Sequence, residues 1–316
     1  MNKESIMSKL PKVTIITVTR NRAKLLKRAI DSVLSQTFKD FEYIIIDGAS
    51  TDDTSKVVKN FNDERIIYVQ QTENKATIIS FDFAVNLSRS EYLTFLDDDD
   101  EYLPTKIEKQ YNLMKSLPPE YGCVYCWMDY YDDRSNKLVK EHHPSNRGYI
   151  FYDCIEKQSM GGLPTLFMKR DVYLTLNGWN SKLKYVADWE FNTRIARKYL
   201  IDFVPEVLVR AHIDHPFERM SSSQSNLESL SKIQNLIDYH NHYLTEFGDG
   251  FKKFPIKKTS HLMSLAKLYA RLGLVKQSIF KIKELTELRI KKYLMIKLVV
   301  TCGILVFQST YKNYES

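Results

Sequence analysis

Short apolar runs alternate with amphipathic segments along the N-terminal third of the chain. Residues 13–18 form a β-branched run that predicts a buried strand, and residues 25–34 repeat apolar side chains at helical spacing. The alternation continues with strands predicted at 41–46, 66–69 and 92–96 and helices at about 52–61 and 77–87. Strands that alternate with helices at these lengths predict a parallel sheet with right-handed crossovers.

Polar clusters stand at the carboxyl ends of three of these strands. They are Thr-Arg-Asn-Arg at 19–22, Asp-Gly-Ala-Ser at 47–50 and four aspartates at 97–100. The carboxyl ends of parallel strands meet at one edge of a sheet, where open α/β sheets bind their ligands. We therefore expect the three clusters to converge in space.

The remainder of the chain has a mixed pattern and then a helical one. Strands are predicted near 123–128, 165–169 and 203–211, with a helix at about 188–199. Beyond Ser221, apolar residues recur at helical spacing around 227–237, 262–272 and 275–285. A chain of 316 residues can hold one large α/β domain and an accessory helical element.

Composition and charge narrow the class of protein only slightly. A hydrophobic content of 43% and a charged content of 27% are ordinary for a folded soluble protein. The net charge of +7 suits an anionic partner such as a nucleotide diphosphate or an acidic membrane surface, and no nucleic-acid partner is expected. The N-terminal ten residues lack the apolar stretch of a signal peptide, which predicts a cytoplasmic protein.

The four cysteines have two interpretations. Cys123 and Cys126 have C-x-x-C spacing, but there is no second such pair to complete a zinc site. The pair lies in an apolar run typical of a buried strand. We therefore expect reduced core thiols.

The acidic run at 97–100 carries the clearest chemical signal. Four neighbouring carboxylates repel one another unless a cation neutralises them. A hard divalent ion does so with oxygen ligands and keeps open positions for diphosphate oxygens. The alternative is a solvated acidic loop, but the position at a strand's carboxyl end favours the metal site.

Three motifs in this order resemble the family-2 glycosyltransferases: VTIITVTRNR at 13–22, IDGASTD at 46–52, and FLDDDD at 95–100 with Pro104 after it. The resemblance covers residues 12–222. It implies an α/β, Rossmann-like GT-A fold with a mostly parallel sheet, a nucleotide-sugar donor and inversion at the anomeric carbon. The implied organisation is a nucleotide-binding half at 1–110, an acceptor-binding half at 111–222 and a C-terminal helical region at 223–316.

The resemblance also assigns roles at the donor site, with Mn²⁺ or Mg²⁺ as the cofactor. Asp97 is directed toward the ribose and the metal, and Asp99 is the metal ligand. Because the run holds four aspartates, the register stays open, and Asp98 or Asp100 could share these roles. The other implied donor-site residues are Thr17, Thr19 and Arg22, which would line the nucleotide end of the first strand, and Asp47, whose carboxylate would accept the imide N–H of uracil.

A second motif, VADWEF at 186–191, resembles the start of the family's acceptor-side helix. An inverting transfer needs one carboxylate to take the proton of the acceptor hydroxyl. The resemblance implies Asp188 for this role, with Glu190 as the fallback. Ala187 departs from the family, which often has an acid there. The alternative is that Asp188 only caps the helix.

Two histidines and one turn complete the acceptor half. Some family members bind the metal through a histidine after the last strand, so His212 is a candidate ligand and His215 is nearly as good. An ordinary polar histidine remains the favoured interpretation of each. Gly178, Trp179 and Asn180 resemble the family's acceptor-side turn.

The apolar stretch at 294–307 is too short to span a bilayer, which takes about 20 residues. With Arg289, Lys291 and Lys292 before it, this stretch could lie on the anionic inner face of a membrane. An apolar final helix packed on the domain is the open alternative.

The resemblance, together with these features, implies an inverting hexosyl- or N-acetylhexosaminyltransferase. It would move a sugar from a UDP-sugar to a hydroxyl of a glycan or lipid-linked acceptor, in the synthesis of a bacterial surface polysaccharide. One alternative is a non-catalytic module that binds a nucleotide sugar or a membrane partner. A nucleotidyltransferase is disfavoured because residues 19–22 contain no glycine to form a triphosphate loop.

Overall fold

The computed structural model describes residues 10–183, 186–213, 230–288 and 292–312. The strands in these ranges are β1 Val13–Thr19, β2 Phe41–Asp47, β3 Ile66–Gln70, β4 Tyr92–Phe95, β5 Glu101–Tyr102, β6 Tyr121–Asp132, β7 Leu138–His142, β8 Phe167–Lys169 and β9 Leu200–Ile213. The α-helices are α1 Ala23–Leu34, α2 Thr54–Lys59, α3 Thr77–Leu87, α4 Lys106–Ser116, α5 Phe151–Cys154, α6 Arg170–Thr175, α7 Ala187–Lys198, α8 Leu230–Glu246, α9 Gly248–Lys253, α10 Thr259–Arg271, α11 Val275–Glu287 and α12 Lys292–Lys312. Short 3₁₀ helices cover Leu163–Thr165 and Pro255–Lys258.

All nine strands belong to one sheet. Its order is β3-β2-β1-β4-β8-β6-β9-β5, with β7 paired to β6. The long pairings, those of β1 with β2 and of β6 with β9, are parallel, whereas β8 and β5 join through short antiparallel pairs. The prediction of a mostly parallel sheet flanked by helices is confirmed.

The pairing register places the carboxyl ends of β1, β2 and β4 side by side. Thr19 pairs with Asp47 at the carboxyl ends of β1 and β2, and Ile16 pairs with Phe95 at the end of β4. The polar residues that follow these strands therefore start from one edge of the sheet. Helix α1 packs its predicted apolar stripe into the core beside β1 and β2, which anchors the β1–α1 connection; the buried members are Leu25, Leu26, Ala29, Ile30 and Val33.

Strand β9 is longer than its apolar pattern predicts. It contains Pro205, which has no backbone N–H to donate, and the pairing with β6 shifts register between Val204 and Val207. The strand contributes buried side chains from Ile201 to Ala211, and the backbone N–H of His212 near its end donates to Asp100 Oδ1.

The predicted state of the cysteines is confirmed: Cys123, Cys126, Cys154 and Cys302 are all buried and free. Burial raises the pKa of both Cys123 and Cys126 to about 12. These thiols therefore stay protonated and inert at neutral pH.

The chain divides into two compact units. The first comprises the described residues of Met1–Ile150, Ser159–Ser181 and Phe191–Phe217, and it contains the whole sheet. The second comprises those of Phe151–Gln158, Lys182–Glu190 and Glu218–Ser316, and it is helical. None of the helices in the described ranges combines the length and the apolar content needed to cross a membrane.

Candidate active site

The loops that follow β1 and β2 are joined by short hydrogen bonds. The backbone N–H of Asn21 donates to Ser50 Oγ at 2.8 Å, and that of Thr51 donates to Asn21 Oδ1 at 2.8 Å. Asn21 and Ala49 have φ angles of 53° and 59°. This left-handed conformation is common for asparagine and unfavourable for alanine, so the second loop is held under strain by its surroundings.

The acidic run joins this edge through Asp98. Thr19 Oγ1 donates to Asp98 Oδ2 at 2.7 Å, and Arg22 Nη1 donates to Asp98 Oδ1 at 2.8 Å. Arg22 also reaches Asp99 Oδ2 at 3.4 Å. The structure therefore brings together the ends of β1 and β4, and Asp98 adds a side-chain connection to the pairing of the two strands.

Burial and neighbouring charges set the protonation of this group. Burial raises the pKa of Asp98; Arg22 lowers it, Asp99 raises it, and the Thr19 hydroxyl lowers it, with a net increase. Burial alone would lower the pKa of Arg22, but Asp98 and Asp99 reverse that effect and raise it. Arg22 is thus a fixed positive charge beside the acidic run.

The other three aspartates form the group that fits a metal ion. One carboxylate oxygen from each of Asp97, Asp99 and Asp100 lies within 4.8 Å of the others. Two oxygens bound to the same divalent ion at about 2.0–2.6 Å are no more than about 5 Å apart, so this set fits Mg²⁺ or a similar hard cation. Asp100 thereby joins Asp97 and Asp99, to which the family resemblance assigns roles at the metal, whereas Asp98 pairs with Arg22.

His212 lies beside this group but pairs with other carboxylates. Its Nε2 lies 3.1 Å from Glu101 Oε1, and its Nδ1 lies 3.1 Å from Asp133 Oδ1. Its backbone N–H donates to Asp100 Oδ1 at 3.1 Å. Both ring nitrogens therefore face carboxylates outside the three-aspartate group, and the metal role of His212 stays a prediction. His215 lies outside the described residues.

Thr17 and Asp47 are completely buried. Thr17 Oγ1 donates to Leu96 O at 2.8 Å and accepts from Tyr43 Oη at 2.9 Å, which ties β1 to the segment before the aspartates. Asp47 accepts from the Ser50 backbone N–H at 2.8 Å and from the Tyr68 hydroxyl. Both side chains lie below the surface, where their hydrogen bonds hold the ends of β1 and β2 in place. Their contact with a nucleotide stays a prediction.

Asp188 lies in the second unit, on the first turn of α7. Burial raises its pKa from 3.8 to about 6, although backbone hydrogen bonds at Trp189 and Asp188 itself oppose the shift. A carboxylate with such a pKa is ionised at neutral pH and is a stronger base than an exposed aspartate. Trp189 is 38% exposed, whereas Glu190 is buried.

The turn at Gly178 is fixed by the C-terminal part of α7. Arg194 donates to Leu176 O at 2.6 Å and to Gly178 O at 2.8 Å. Gly178 has φ of 61°, and a Cβ there would lie 2.4 Å from Asp82 Oδ1. Only glycine fits this turn without strain.

No sequence pattern indicated a role for two residues near the acidic run, Arg28 and Asp133. Arg28 on α1 donates to Asp133 Oδ1 and to the carbonyl oxygen of Asp99, both at 2.6 Å. Arg28 and Asp133 are separated by 105 positions in the chain. No local pattern links residues so far apart, so sequence alone did not find them.

Comparison with known proteins agrees with the fold and the motifs. The family model for glycosyl transferase family 2 matches residues 14–173. An uncharacterized glycosyltransferase of Methanocaldococcus jannaschii is 29% identical over 238 residues, which cover 73% of this chain and 78% of that protein. The UDP-Glc:alpha-D-GlcNAc-diphosphoundecaprenol beta-1,3-glucosyltransferase WfaP of Escherichia coli is 35% identical over 104 residues, 33% of this chain and 41% of its own.

Among solved structures, S. aureus TarS 1-349 in complex with UDP-GlcNAc has a TM-score of 0.58 at 17% identity and covers 88% of this chain and 92% of its own. This likeness supports the predicted GT-A fold. The family match covers the first motif from residue 14 onward, the whole of the motifs at 46–52 and 95–100, and the aspartates of the candidate metal group, while Asp188 lies beyond its end. Because the match spans half of the chain, the protein belongs to glycosyl transferase family 2.

Proposed function

We propose that the protein transfers a sugar from a UDP-sugar, chelated with Mn²⁺ or Mg²⁺, to a hydroxyl of a glycan or lipid-linked acceptor, with inversion of the anomeric carbon. The observation that carries the proposal is the grouping of Asp97, Asp99 and Asp100 within 4.8 Å at the carboxyl end of β4. The sugar would be a hexose or an N-acetylhexosamine.

The donor half of the site would be built from charge and hydrogen bonds. A bound divalent ion would neutralise the diphosphate and stabilise the nucleotide as it leaves. Asp97, Asp99 and Asp100 would hold the ion, and the contacts of the His212 ring with Glu101 and Asp133 favour a supporting role for His212 over the ligand role that the family resemblance implies. Arg22 supplies a cation next to this group, and Asp98 keeps it in place through a 2.8 Å contact.

Asp47 would recognise the base of the nucleotide. Its carboxylate already accepts the Ser50 N–H and the Tyr68 hydroxyl, and each carboxylate oxygen can accept a second hydrogen bond. An imide N–H of uracil suits such an acceptor. Thr17 and Thr19 keep the end of β1 in the shape that this recognition requires.

Asp188 would take the proton of the acceptor hydroxyl as the new glycosidic bond forms. Its burial-raised pKa of about 6 supports this role, because the group is ionised at neutral pH yet more basic than an ordinary aspartate. Its place in the first turn of α7 also favours the ionised form through the helix dipole.

The names of similar proteins support the donor and acceptor classes. WfaP of E. coli uses UDP-Glc and a diphosphoundecaprenol-linked sugar, and TarS 1-349 binds UDP-GlcNAc. A UDP-sugar donor and a lipid-linked acceptor are therefore the combination that we test first.

Association with a membrane surface belongs to the same proposal, and the second unit supports it. Helix α12 contains Lys292, Lys297 and Lys312 and no acidic residue. Val275, Ile279 and Phe280 on α11 are 42%, 47% and 60% exposed. A cleft beside Phe280 is lined by Tyr269, Lys276, Gln277, Phe280 and Lys281. Exposed apolar side chains among lysines suit an anionic lipid surface.

A donor panel tests the reaction. Binding and hydrolysis of UDP-, GDP- and dTDP-sugars would be measured with Mn²⁺ and with a chelator. We expect UDP to be released from one UDP-sugar when Mn²⁺ is present and not when a chelator has removed the metal. An NMR spectrum of the glycoside then reads the anomeric configuration. Folded protein that binds none of these donors would instead indicate a non-catalytic module.

A further inference from the structure

Three consecutive residues of the acidic segment are each held by a side chain or backbone group from elsewhere in the first unit. Arg28 donates to the carbonyl oxygen of Asp99 at 2.6 Å. The backbone N–H of His212 donates to Asp100 Oδ1 at 3.1 Å, and the His212 ring lies 3.1 Å from Glu101 Oε1. The segment is therefore fixed from outside at positions 99, 100 and 101.

Asp133 connects the two residues that hold the segment. Its Oδ1 accepts from Arg28 Nη1 at 2.6 Å and lies 3.1 Å from His212 Nδ1. These contacts join three parts of the first unit: helix α1 through Arg28, the connection that follows β6 through Asp133, and strand β9 through His212. The side-chain exposures are 26% for Arg28, 22% for Asp133 and 7% for His212, so solvent screens these contacts less than it screens contacts on the surface.

Such a support is needed because the aspartates repel one another. Asp97, Asp99 and Asp100 place three carboxylates within one ion's reach, and their repulsion would open the segment in the absence of a cation. Outer contacts of this kind fix the orientation of metal ligands, and their loss typically weakens metal binding by about 10–100-fold.

We infer that Arg28, Asp133 and His212 form a chain of positioning residues that keeps Asp99 and Asp100 in the geometry that binds the metal. In this role His212 acts through Asp133, Glu101 and its backbone N–H, and it is not itself a metal ligand. The inference rests on the proposed metal site.

The test is a titration of the full chain with Mn²⁺ alone, followed by electron paramagnetic resonance, for the wild type and for Arg28→Gln, Asp133→Asn and His212→Gln. We expect each variant to bind Mn²⁺ about tenfold more weakly. The double variant Arg28→Gln/Asp133→Asn should lose little more than either single variant, because both changes break the same chain.

Activity separates positioning from direct ligation. The Mn²⁺ concentration for half-maximal transfer should rise about tenfold in the three variants, while kcat at saturating Mn²⁺ recovers. Arg28→Lys keeps the charge but has a single nitrogen, so it should give an intermediate loss and serves if Arg28→Gln fails to fold. Arg65→Gln is the matched control, since Arg65 forms a similarly exposed pair with Asp63 at the other end of the sheet.

The outcomes separate the two proposals. If the wild type binds no Mn²⁺, the proposed metal site is wrong and this inference falls with it. If the wild type binds Mn²⁺ and only His212→Gln weakens binding, His212 is a ligand and the positioning chain is wrong. Equal binding by all variants, checked for folding by circular dichroism, also overturns the inference.

Discussion

Glu190 Oε1 lies 3.0 Å from His242 Nε2, and this contact accounts for a carboxylate that is almost completely buried. Glu190 and Asp188 lie two positions apart on the first turn of α7, and both are candidates for the base. The pairing with His242 gives Glu190 a structural role within the second unit. Asp188, which remains partly exposed, is therefore the better candidate for the base.

Substitution of these two acids should have different effects. Asp188→Asn keeps the size of the side chain but cannot take a proton, so we expect transfer to fall by about 10²–10⁴-fold. Binding of UDP with Mn²⁺, measured by calorimetry, should be unchanged. Glu190→Gln removes the charge beside His242 and should lower the melting temperature, while the rate of the remaining folded protein changes little. Equal loss of UDP binding in the two variants would contradict this division of roles.

The pH profile should report Asp188, and Asp188→Asn is the control that separates it from Asp98, whose pKa is also raised. The pKa of Asp188 is raised to about 6 by burial, and the base must be ionised, so kcat/KM should fall about tenfold for each pH unit below 6. An ordinary aspartate would put this limb near pH 4. The measurement is a rate series at fixed ionic strength, with a Mn²⁺ titration at each pH to separate loss of metal.

Ionisation of Asp188 as the pH rises should have opposite effects on activity and on stability. It should increase the rate of transfer but lower the free energy of unfolding. Because the folded pKa of Asp188 is above its unfolded value, the stabilisation that it contributes is complete below pH 3.8 and is lost as pH rises through 6. Asparagine does not ionise. Thermal unfolding should therefore find Asp188→Asn more stable than the wild type at neutral pH by about 1–2 kcal/mol, and this advantage should disappear near pH 4.

Removal of one metal-group carboxylate should abolish metal-dependent nucleotide binding. Asp99 is buried, and its carboxylate belongs to the three-aspartate group. In Asp99→Ala, UDP should bind equally weakly with Mn²⁺ and with a chelator, whereas the wild type should distinguish the two conditions. Asp31→Ala, which changes an exposed aspartate on the outer side of α1, is the control and should keep the Mn²⁺ dependence.

A buried lysine gives a prediction about stability alone. Lys106 is completely buried; its Nζ donates to Thr94 Oγ1 at 2.9 Å and lies 3.9 Å from the Tyr102 ring centroid. Burial lowers its pKa from 10.5 to about 7. The unfolded chain therefore binds a proton that the folded chain lacks between these values, and stability rises with pH in that window.

Lys106→Met removes this penalty and fills similar space. We expect the variant to be more stable than the wild type by about 2 kcal/mol at pH 7, with a gain that shrinks toward pH 10. Urea unfolding at a series of pH values measures the difference. A variant that is less stable than the wild type throughout would mean that the contacts with Thr94 and Tyr102 outweigh the cost of burial.

The sequence predicted those elements whose pattern is local. The β-branched run before Thr19 became β1, and the helix expected at 77–87 is α3, Thr77–Leu87. Helix α4 was not predicted, because its buried positions include Lys106 and Gln110, which interrupt the apolar stripe. Strand β5 has two residues and exists through its pairing with β9 at Arg210 and Val209, which no local pattern can reveal.

In the candidate site, too, some features could be predicted from the local sequence and others depend on long-range contacts. The aspartates stand together in the sequence, so their grouping could be predicted from the strand that precedes them. The geometry that selects Asp100 over Asp98 for the metal group depends on Thr19 and Arg22, which lie 79 and 76 positions away in the chain. Arg28 and Asp133, which are also in contact, are separated by 105 positions in the chain. Tertiary contacts therefore decide which members of a local motif do which task.

Phe280 offers a direct test of membrane association. Its side chain is 60% exposed on α11, beside Ile279 and Lys276, and burying an aromatic side chain in a lipid interface is worth about 1.5–3 kcal/mol. Phe280→Ser should therefore weaken binding to phosphatidylglycerol-containing vesicles by about tenfold or more in a sedimentation assay. Lys276→Gln should weaken it by a smaller factor, about 1 kcal/mol per lysine, and should reduce its salt dependence.

Two exposed apolar residues of the first unit provide the control for this prediction. Leu138 and Val139 on β7 are 47% and 55% exposed but belong to the first unit, so Val139→Ser should leave vesicle binding unchanged. Transfer to a soluble acceptor should be the same for Phe280→Ser and the wild type, because Phe280 is not one of the residues proposed for donor binding or catalysis and the change removes no charge. If Phe280→Ser and Val139→Ser bind vesicles equally, the second unit does not dock through α11. If binding persists on pure phosphatidylcholine, apolar contact rather than the lysines supplies the attraction.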